Sequence, residues 1–380
     1  MTTIDDAIST EAPAAGAAVD QAETVDPVEQ LAGQVFMAAL GATEVCNIYL
    51  GDKLGLYKAL AEHGPVTSAG LAEATGCDER YVREWLQAQA VSGFVTTSGS
   101  DLSTAEFSLA EGGEAIFVDE LSPAYVAPLG QAMITAARMV PQLTAAFRSG
   151  AGVAYADYGP EAISAQAALN RPAFVNELVA NWIPALPEVA ARLSDTASPA
   201  SVADFGCGSG WSSIEIAKAY PHVTVTGFDA DPTSIDAAVR AAHEAGVSDR
   251  VTFRRHDLAE PLEGRYDVGF LFECVHDMGY PERVLSTVRA ATADGGRVIV
   301  MDEAVDETLV APTEDPVQRF FANVSPLWCL PQGRDAADMD PVGTVMRPSR
   351  LQELSSAAGF GRMEIAPIEN PFFRFYQLIP

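Results

Sequence analysis

Residues 202–210 read Val-Ala-Asp-Phe-Gly-Cys-Gly-Ser-Gly, and Trp-Ser-Ser-Ile-Glu-Ile-Ala-Lys-Ala follows at 211–219. An apolar run that breaks into alternating glycines and then turns helical predicts a strand, a tight turn and a helix. Glycines at 206, 208 and 210 let the backbone turn sharply and leave room for a ligand against it. The helix that follows offers free N–H groups and a positive dipole end, suited to a carboxylate. The loop reads GxGxG and not GxGxxG, so the cradling of a dinucleotide pyrophosphate is not indicated.

Outward from this loop, strand and helix patterns alternate. The strands read SVADF, VTVTGFD, VTFRRHD, YDVGFLFE, GRVIVMDE, RMEIAPIE and FFRFYQLI, with helices after the first five, only weakly after the third. Such alternation predicts a parallel sheet covered by helices on both faces. Asp229 closes the second strand and is placed to accept hydrogen bonds from two ribose hydroxyls. At the end of the third strand, Asp257 can accept the exocyclic amine of adenine and Leu258 can cover the ring. Residues 306–345 interrupt the pattern before the helix RPSRLQELSSAAGF, and insertions of that length are often functional lids.

Toward the N-terminus the organisation differs. Residues 1–28 are rich in alanine, acids and proline without periodicity, and read as a disordered acidic tail. Residues 29–120 give a long apolar helix, a short helix at SAGLAEATG, a longer one at DERYVREWLQAQAVSGFV and a hairpin from Phe94 to Ser108. That order is the order of a winged helix-turn-helix. Thr67 or Ser68 and then Asp78 are the expected N-caps, and Gly76 the stop between them. Residues 121–195 read as helical, broken by SGAGVAYADYGP, and form a linker and part of a substrate chamber. Residues 196–380 make up the strand–helix domain.

The motifs DFGCGSG, GFDAD, RHDL, FLFECVHD and ADGGRVIV resemble, in order and spacing, those of class I S-adenosylmethionine-dependent methyltransferases. The resemblance covers residues 200–380. With the winged-helix-like part, the chain looks like a family of bacterial two-domain methyltransferases, some of whose members are labelled transcriptional regulators. CLPQG, GTVMR and FRFYQL look like that family as well. The resemblance implies an α/β fold, a Rossmann-like seven-stranded sheet preceded by a mostly α winged-helix-like domain. It also implies that S-adenosyl-L-methionine is the cofactor. The glycine loop of Gly206, Gly208 and Gly210 would hold the methionine moiety, with Asp204 near its amino group, Asp229 on the ribose, and Asp257 with Leu258 on the adenine.

Methyl transfer from a sulfonium is an in-line displacement, so the protein aligns the reactants and can remove the acceptor's proton. Strand four ends in Glu273-Cys274-Val275-His276-Asp277-Met278. Small-molecule O-methyltransferases with a winged-helix dimerisation domain carry His-Asp-Trp here, with the histidine as general base. His276 is similar in position, and Met278 replaces the aromatic residue. Glu273 could contact the cofactor's ammonium or orient a substrate, and Glu303 after strand five is a further candidate. No His/Asp/Glu group has metal-ligand spacing, so no metal is expected. Phe320, Phe321, Trp328 and Leu330 of the insertion would be either core or a pocket wall.

Charge bounds the partners. The chain has 23 basic and 52 acidic side chains, for a net charge of −29. That field repels phosphate backbones and anionic lipid. Through residue 110 the basic residues are Lys53, Lys58, Arg80 and Arg83, against sixteen acids. DNA reading is therefore disfavoured and a homodimer favoured, with the apolar helix from Glu29 to Tyr49 buried in its interface. The five scattered cysteines suit a reducing cytosol. The N-terminus lacks a basic n-region and an apolar signal core, and no apolar run approaches the length that spans a bilayer. The expectation is a soluble cytoplasmic enzyme methylating an oxygen of a small apolar or aromatic metabolite. A ligand-sensing regulator that retains the fold and a cofactor-binding protein without catalysis are the alternatives.

Overall fold

The computed structural model describes residues 26–334, 336 and 338–380. Most of the expected tail, residues 1–25, lies outside the described residues, and its last residues are helical. Helix α1 spans Pro27–Lys53. The Asp26 carboxylate accepts the Val28 N–H at 3.0 Å, and Pro27 forfeits no helical hydrogen bond at this position. By length and composition α1 could cross a membrane, with a mean hydropathy of 1.3 over its most apolar window. Glycine, alanine and threonine space the apolar side chains of α1 with few charges, so the helix is apolar on average without an unbroken apolar run. Leu31, Val35 and Phe36 of α1 are 62%, 71% and 69% exposed. The chain divides into two compact units inside α1, one ending at Thr43 and the other comprising Glu44–Pro380.

Helices α2 (Leu56–His63), α3 (Ser68–Thr75) and α4 (Glu79–Val91) are followed by the hairpin β2 (Val95–Thr97) and β3 (Glu106–Leu109). A short strand β1 (Val66–Thr67) pairs antiparallel with β3, giving the order β1-β3-β2. The caps fall where the sequence puts them. Thr67 Oγ1 accepts the Gly70 N–H at 3.2 Å, Gly76 ends α3 at φ 67°, and Asp78 accepts the N–H groups of Arg80 and Tyr81. Tyr57, Leu71, Leu86 and Phe107 fill this small core, and Tyr57 stacks on Phe117 of α5 (Gly113–Phe117).

Helix α6 (Pro128–Ser149), a 3-10 turn at Tyr155–Tyr158, and α7 (Pro160–Ala173) lead on. The chain continues as a π-helical stretch, Phe174–Trp182, and then α8 (Pro187–Ser194). The sheet follows. Its strands are β4 (Ser201–Phe205), β5 (Thr224–Asp229), β6 (Val251–Arg255), β7 (Tyr266–Phe272), β8 (Thr292–Glu303), β9 (Arg362–Ile365) and β10 (Phe373–Ile379). They lie in the order β6-β5-β4-β7-β8-β10-β9. The five from β4 to β8 pair in parallel and β9 points the same way, but β10 between β8 and β9 runs antiparallel to both, so the expectation of a parallel sheet fails at β10.

Alternation along the strands sorts side chains into two cores. Val202, Ile299 and Met301 face α8, α9 (Trp211–Ala219) and α10 (Pro232–Glu244). Ala203, Val298 and Val300 face α11 (Pro281–Ala291) and α14 (Pro348–Ala357). The insertion carries α12 (Pro316–Val324) and α13 (Cys329–Gln332), which pack on the turn before α7. Tyr158 donates its hydroxyl to the Leu327 carbonyl at 2.8 Å, and its ring lies 4.9 Å from that of Trp328. Strand order reverses between β4 and β7, which opens a crevice at their carboxyl ends, where ligands of such sheets bind.

Candidate active site

The glycine loop joins β4 to α9, and its glycines serve different ends. Gly208 has φ 50°, and a Cβ built there would meet nothing within 4 Å, so its surface is open to a ligand. Gly210 has φ 78°, and its Cβ would lie 2.5 Å from the Phe253 ring. Gly210 is therefore glycine for packing and Gly208 for access. Gly206 is likewise pressed, against Cys274. Asp204 is buried at the end of β4, where its Oδ2 accepts the hydroxyls of Ser212 at 2.5 Å and Ser213 at 2.7 Å, while Oδ1 has no partner. Burial pushes its carboxyl above the usual range against those hydroxyls. Asp229 Oδ2 accepts the Gly208 N–H at 2.9 Å, and Oδ1 accepts that of Asp231 at 2.9 Å. This ties the second strand to the loop and leaves each oxygen a lone pair. Asp257 is exposed at the end of β6 and accepts the Ala259 N–H at 2.9 Å. Leu258 lies in the core beside Phe228.

The ends of β7 and β8 form the second half of the site. The Glu273 N–H donates to the Met301 carbonyl at 2.7 Å, and a 3-10 turn, Val275–Asp277, folds His276 back over β8. His276 is buried. Its Nδ1 lies 2.8 Å from Asp302 Oδ1 and 2.9 Å from Glu303 Oε2, and its Nε2 is 3.3 Å from Asp277 Oδ1. Cys329 of α13 closes on the same imidazole. Burial opposes the imidazolium, but the carboxylates of Asp302, Glu303 and Asp277 outweigh it and hold the pKa well above the ordinary value. Burial raises the Glu303 carboxyl, with the Asp302 charge adding to it, whereas His276 offsets the burial of Asp302 and keeps that group low. Burial also lifts Glu273, to about 7.

Several residues here escape the sequence reading. Asp302, not Glu303 alone, pairs with the histidine, and its signal was only its place beside Glu303 at a strand end. Cys329 lies 53 positions from His276 in the chain. Arg171 of α7 stacks on Trp211, its Cζ 4.1 Å from the ring, and its Nε is buried without a partner. His276, Asp302 and Glu303 also stand close enough to offer a metal three ligand atoms, a proximity that spacing along the chain does not reveal. Of the lid side chains, Phe321 and Trp328 are buried and Phe320 is exposed. Trp328 packs with Tyr158 and Ala162 as core.

Comparison with known proteins bears on this crevice. The family described as "Methyltransferase domain" matches residues 203–298, from within β4 into β8. The chain carries an S-adenosylmethionine-dependent methyltransferase domain. Ahead of it, the family described as "Rv2258c-like winged HTH domain" matches residues 42–115. The mitomycin biosynthesis 6-O-methyltransferase of Streptomyces lavendulae is 26% identical over 87% of this chain and 92% of its own length. The release factor glutamine methyltransferase of Rhodopirellula baltica is 41% identical over 21% of this chain and only 27% of its own length. In fold, the chain is similar to human N-acetylserotonin methyltransferase in complex with SAM, with a TM-score of 0.65, 18% identity, and coverage of 94% of this chain and 99% of that one. The cofactor of the methyltransferase domain is S-adenosylmethionine, and the crevice fits it. Gly208 leaves open surface, and the buried atoms Asp204 Oδ1, Glu273 Oε2 and Arg171 Nε lack protein partners.

Proposed function

We propose that this protein transfers a methyl group from S-adenosylmethionine to an oxygen of a small apolar or aromatic metabolite, with His276 as general base. The pairing of His276 Nδ1 with the buried Asp302 carboxylate supports this reading, because it commits Nδ1 and leaves Nε2, which faces Asp277 Oδ1 at 3.3 Å, as the nitrogen to exchange a proton. Bound S-adenosylmethionine supplies an electrophilic methyl on a cationic sulfur. His276 Nε2 takes the acceptor's proton, and Asp302 holds the ring orientation and bears against the imidazolium formed. Asp229 holds the ribose hydroxyls, Asp257 and Leu258 border the adenine, and α12 and α13 exclude water above the acceptor.

We further propose that the enzyme is a cytoplasmic homodimer in which a second copy covers the apolar face of α1. An apolar stripe of that length is costly to leave in water. The scarcity of basic residues in the winged helix-turn-helix domain disfavours a DNA-binding regulator.

The test is incubation with S-adenosylmethionine and a panel of phenols, alcohols, amines and thiols, with S-adenosylhomocysteine and methylated product read by mass spectrometry. Methylation of phenols or alcohols is the expected result. Turnover confined to amines or thiols would overturn the oxygen assignment.

A further inference from the structure

The 3-10 turn Val275–Asp277 and helix α13 of the insertion bring three different donor atoms to one point. His276 Nε2, Asp277 Oδ1 and Cys329 Sγ all lie within 4.8 Å of one another, and the nitrogen and oxygen are 3.3 Å apart. A tetrahedral zinc holds nitrogen and oxygen ligands about 3.3 Å apart, so this pair already has the spacing of two ligands. The other ring nitrogen is engaged, Nδ1 meeting Asp302 Oδ1 at 2.8 Å. A carboxylate behind the ring is the usual outer partner of a metal-bound histidine, fixing its orientation and raising the basicity of its donor atom. Charge favours a cation as well. Asp277, Asp302 and Glu303 surround one imidazole, and among the described residues no lysine or arginine pairs with any of them. Asp277 Oδ1, Asp302 Oδ2 and Glu303 Oε2 are buried with no hydrogen-bond partner, and Glu303 as a whole is 4% exposed. The insertion is tied to the turn, the Gly343 N–H donating to the His276 carbonyl at 3.0 Å and the Asp340 N–H to the Gly279 carbonyl at 2.9 Å. Gly333 lets α13 come this close, since a Cβ there would stand 3.0 Å from the Asp277 carbonyl oxygen.

We propose that His276, Asp277 and Cys329 form a site for a zinc-class divalent cation, bound through Nε2, Oδ1 and Sγ with the fourth position open. The donor chemistry selects the class. Imidazole and thiolate favour zinc and its borderline neighbours over magnesium or calcium, which call for oxygen ligands. The neighbouring group of His276 Nδ1, Asp302 and Glu303 would need the nitrogen that Asp302 already engages, and it holds no sulfur. Cation binding displaces the thiol proton of Cys329 and any proton on Nε2 to solvent. The site does not depend on the methyl-transfer reading, but its consequence does. Nε2 cannot hold a cation and accept the acceptor's proton at once, so zinc should switch the proposed base off. Cys329 belongs to the insertion, so the same cation staples α13 to the turn.

The test uses the full chain, stripped with a chelator and then titrated with zinc chloride in calorimetry and with cobalt chloride in absorption. One zinc per chain should bind, and cobalt should give the near-ultraviolet charge-transfer band of a cobalt–thiolate bond. Cys329→Ala should remove that band and weaken zinc by more than about a hundredfold, whereas Asp302→Asn, which alters only the outer partner, should weaken it by about ten- to a hundredfold. Cys46→Ala, at an exposed cysteine, should change neither. Circular dichroism checks each fold, and the wild-type cobalt spectrum needs no variant. No zinc binding, no thiolate band, or zinc binding unchanged in Cys329→Ala would overturn the site and leave the base reading as it stands. Zinc held by Cys329 with methyl transfer undiminished would overturn the inhibition and, with it, the base role of His276.

Discussion

The imidazole of His276 meets Asp302 through Nδ1 at 2.8 Å, with neither side chain more than 2% exposed. A buried pair of this kind commits Nδ1, and the remaining nitrogen, Nε2, faces Asp277 Oδ1 at 3.3 Å. If that nitrogen takes the proton, His276→Ala should lower the single-turnover rate by about 10²–10⁴-fold while cofactor affinity stays nearly unchanged. A loss below about threefold would exclude the base role.

The same pair sets the pH dependence. Surrounding carboxylates raise the imidazole's pKa, so its neutral, proton-accepting form dominates only above the ordinary histidine value. The rate should therefore climb with pH through a limb lying well above 6.5, and fall on the acid side as the ring stays protonated. Asp302→Asn removes one of the charges that raise it, so the limb should move to lower pH. Rates measured against pH for both proteins decide this, and an unmoved limb would separate Asp302 from the base.

Asp229 ties the loop through the Gly208 N–H, and the proposed function gives it the ribose as well. Replacing it with alanine should weaken cofactor binding by about 1.5–3 kcal/mol, the range for hydrogen bonds to a charged group. Calorimetry giving wild-type affinity would remove it from the ribose site.

Gly208 and Gly210 should respond differently to a side chain. At Gly210 a methyl group would strike the Phe253 ring, so Gly210→Ala should cost about 1–3 kcal/mol of stability beyond the strain of its backbone. Gly208→Val meets open space within the protein and should abolish cofactor binding, its loss of stability coming from the strain of a β-branched residue at φ 50° and not from a clash. Thermal melts and calorimetry on the two variants separate packing from access.

If a second copy covers α1, Leu31→Asp with Phe36→Asp should convert a dimer to a monomer in light scattering, with the chain still folded. A wild-type protein that is monomeric in solution would defeat the dimer, and partition into lipid vesicles would assign the helix to a membrane instead.

Local chemistry was enough for much of this protein. Thr67, Gly76 and Asp78 cap their helices because each side chain or its absence acts on the nearest turn. The sheet's first five strands followed from alternating apolar runs, and the GxGxG loop with Asp229 followed from spacing alone. What acts across the chain was not legible. The antiparallel entry of β10 depends on which edge remains free, not on the residues of β10. Asp302, Cys329 and Arg171 reach the site from elements far apart in sequence, and no local period encodes that they converge on His276 and the glycine loop. Gly208 and Gly210 look alike in the sequence, yet only the packing of Phe253 and Ala238 made one structural and left the other open. The sequence determined the fold class and the glycine loop that follows β4, because those rest on short-range backbone geometry. Tertiary packing alone decided how His276 is charged, because burial among carboxylates sets a proton's affinity and burial is a property of the folded chain.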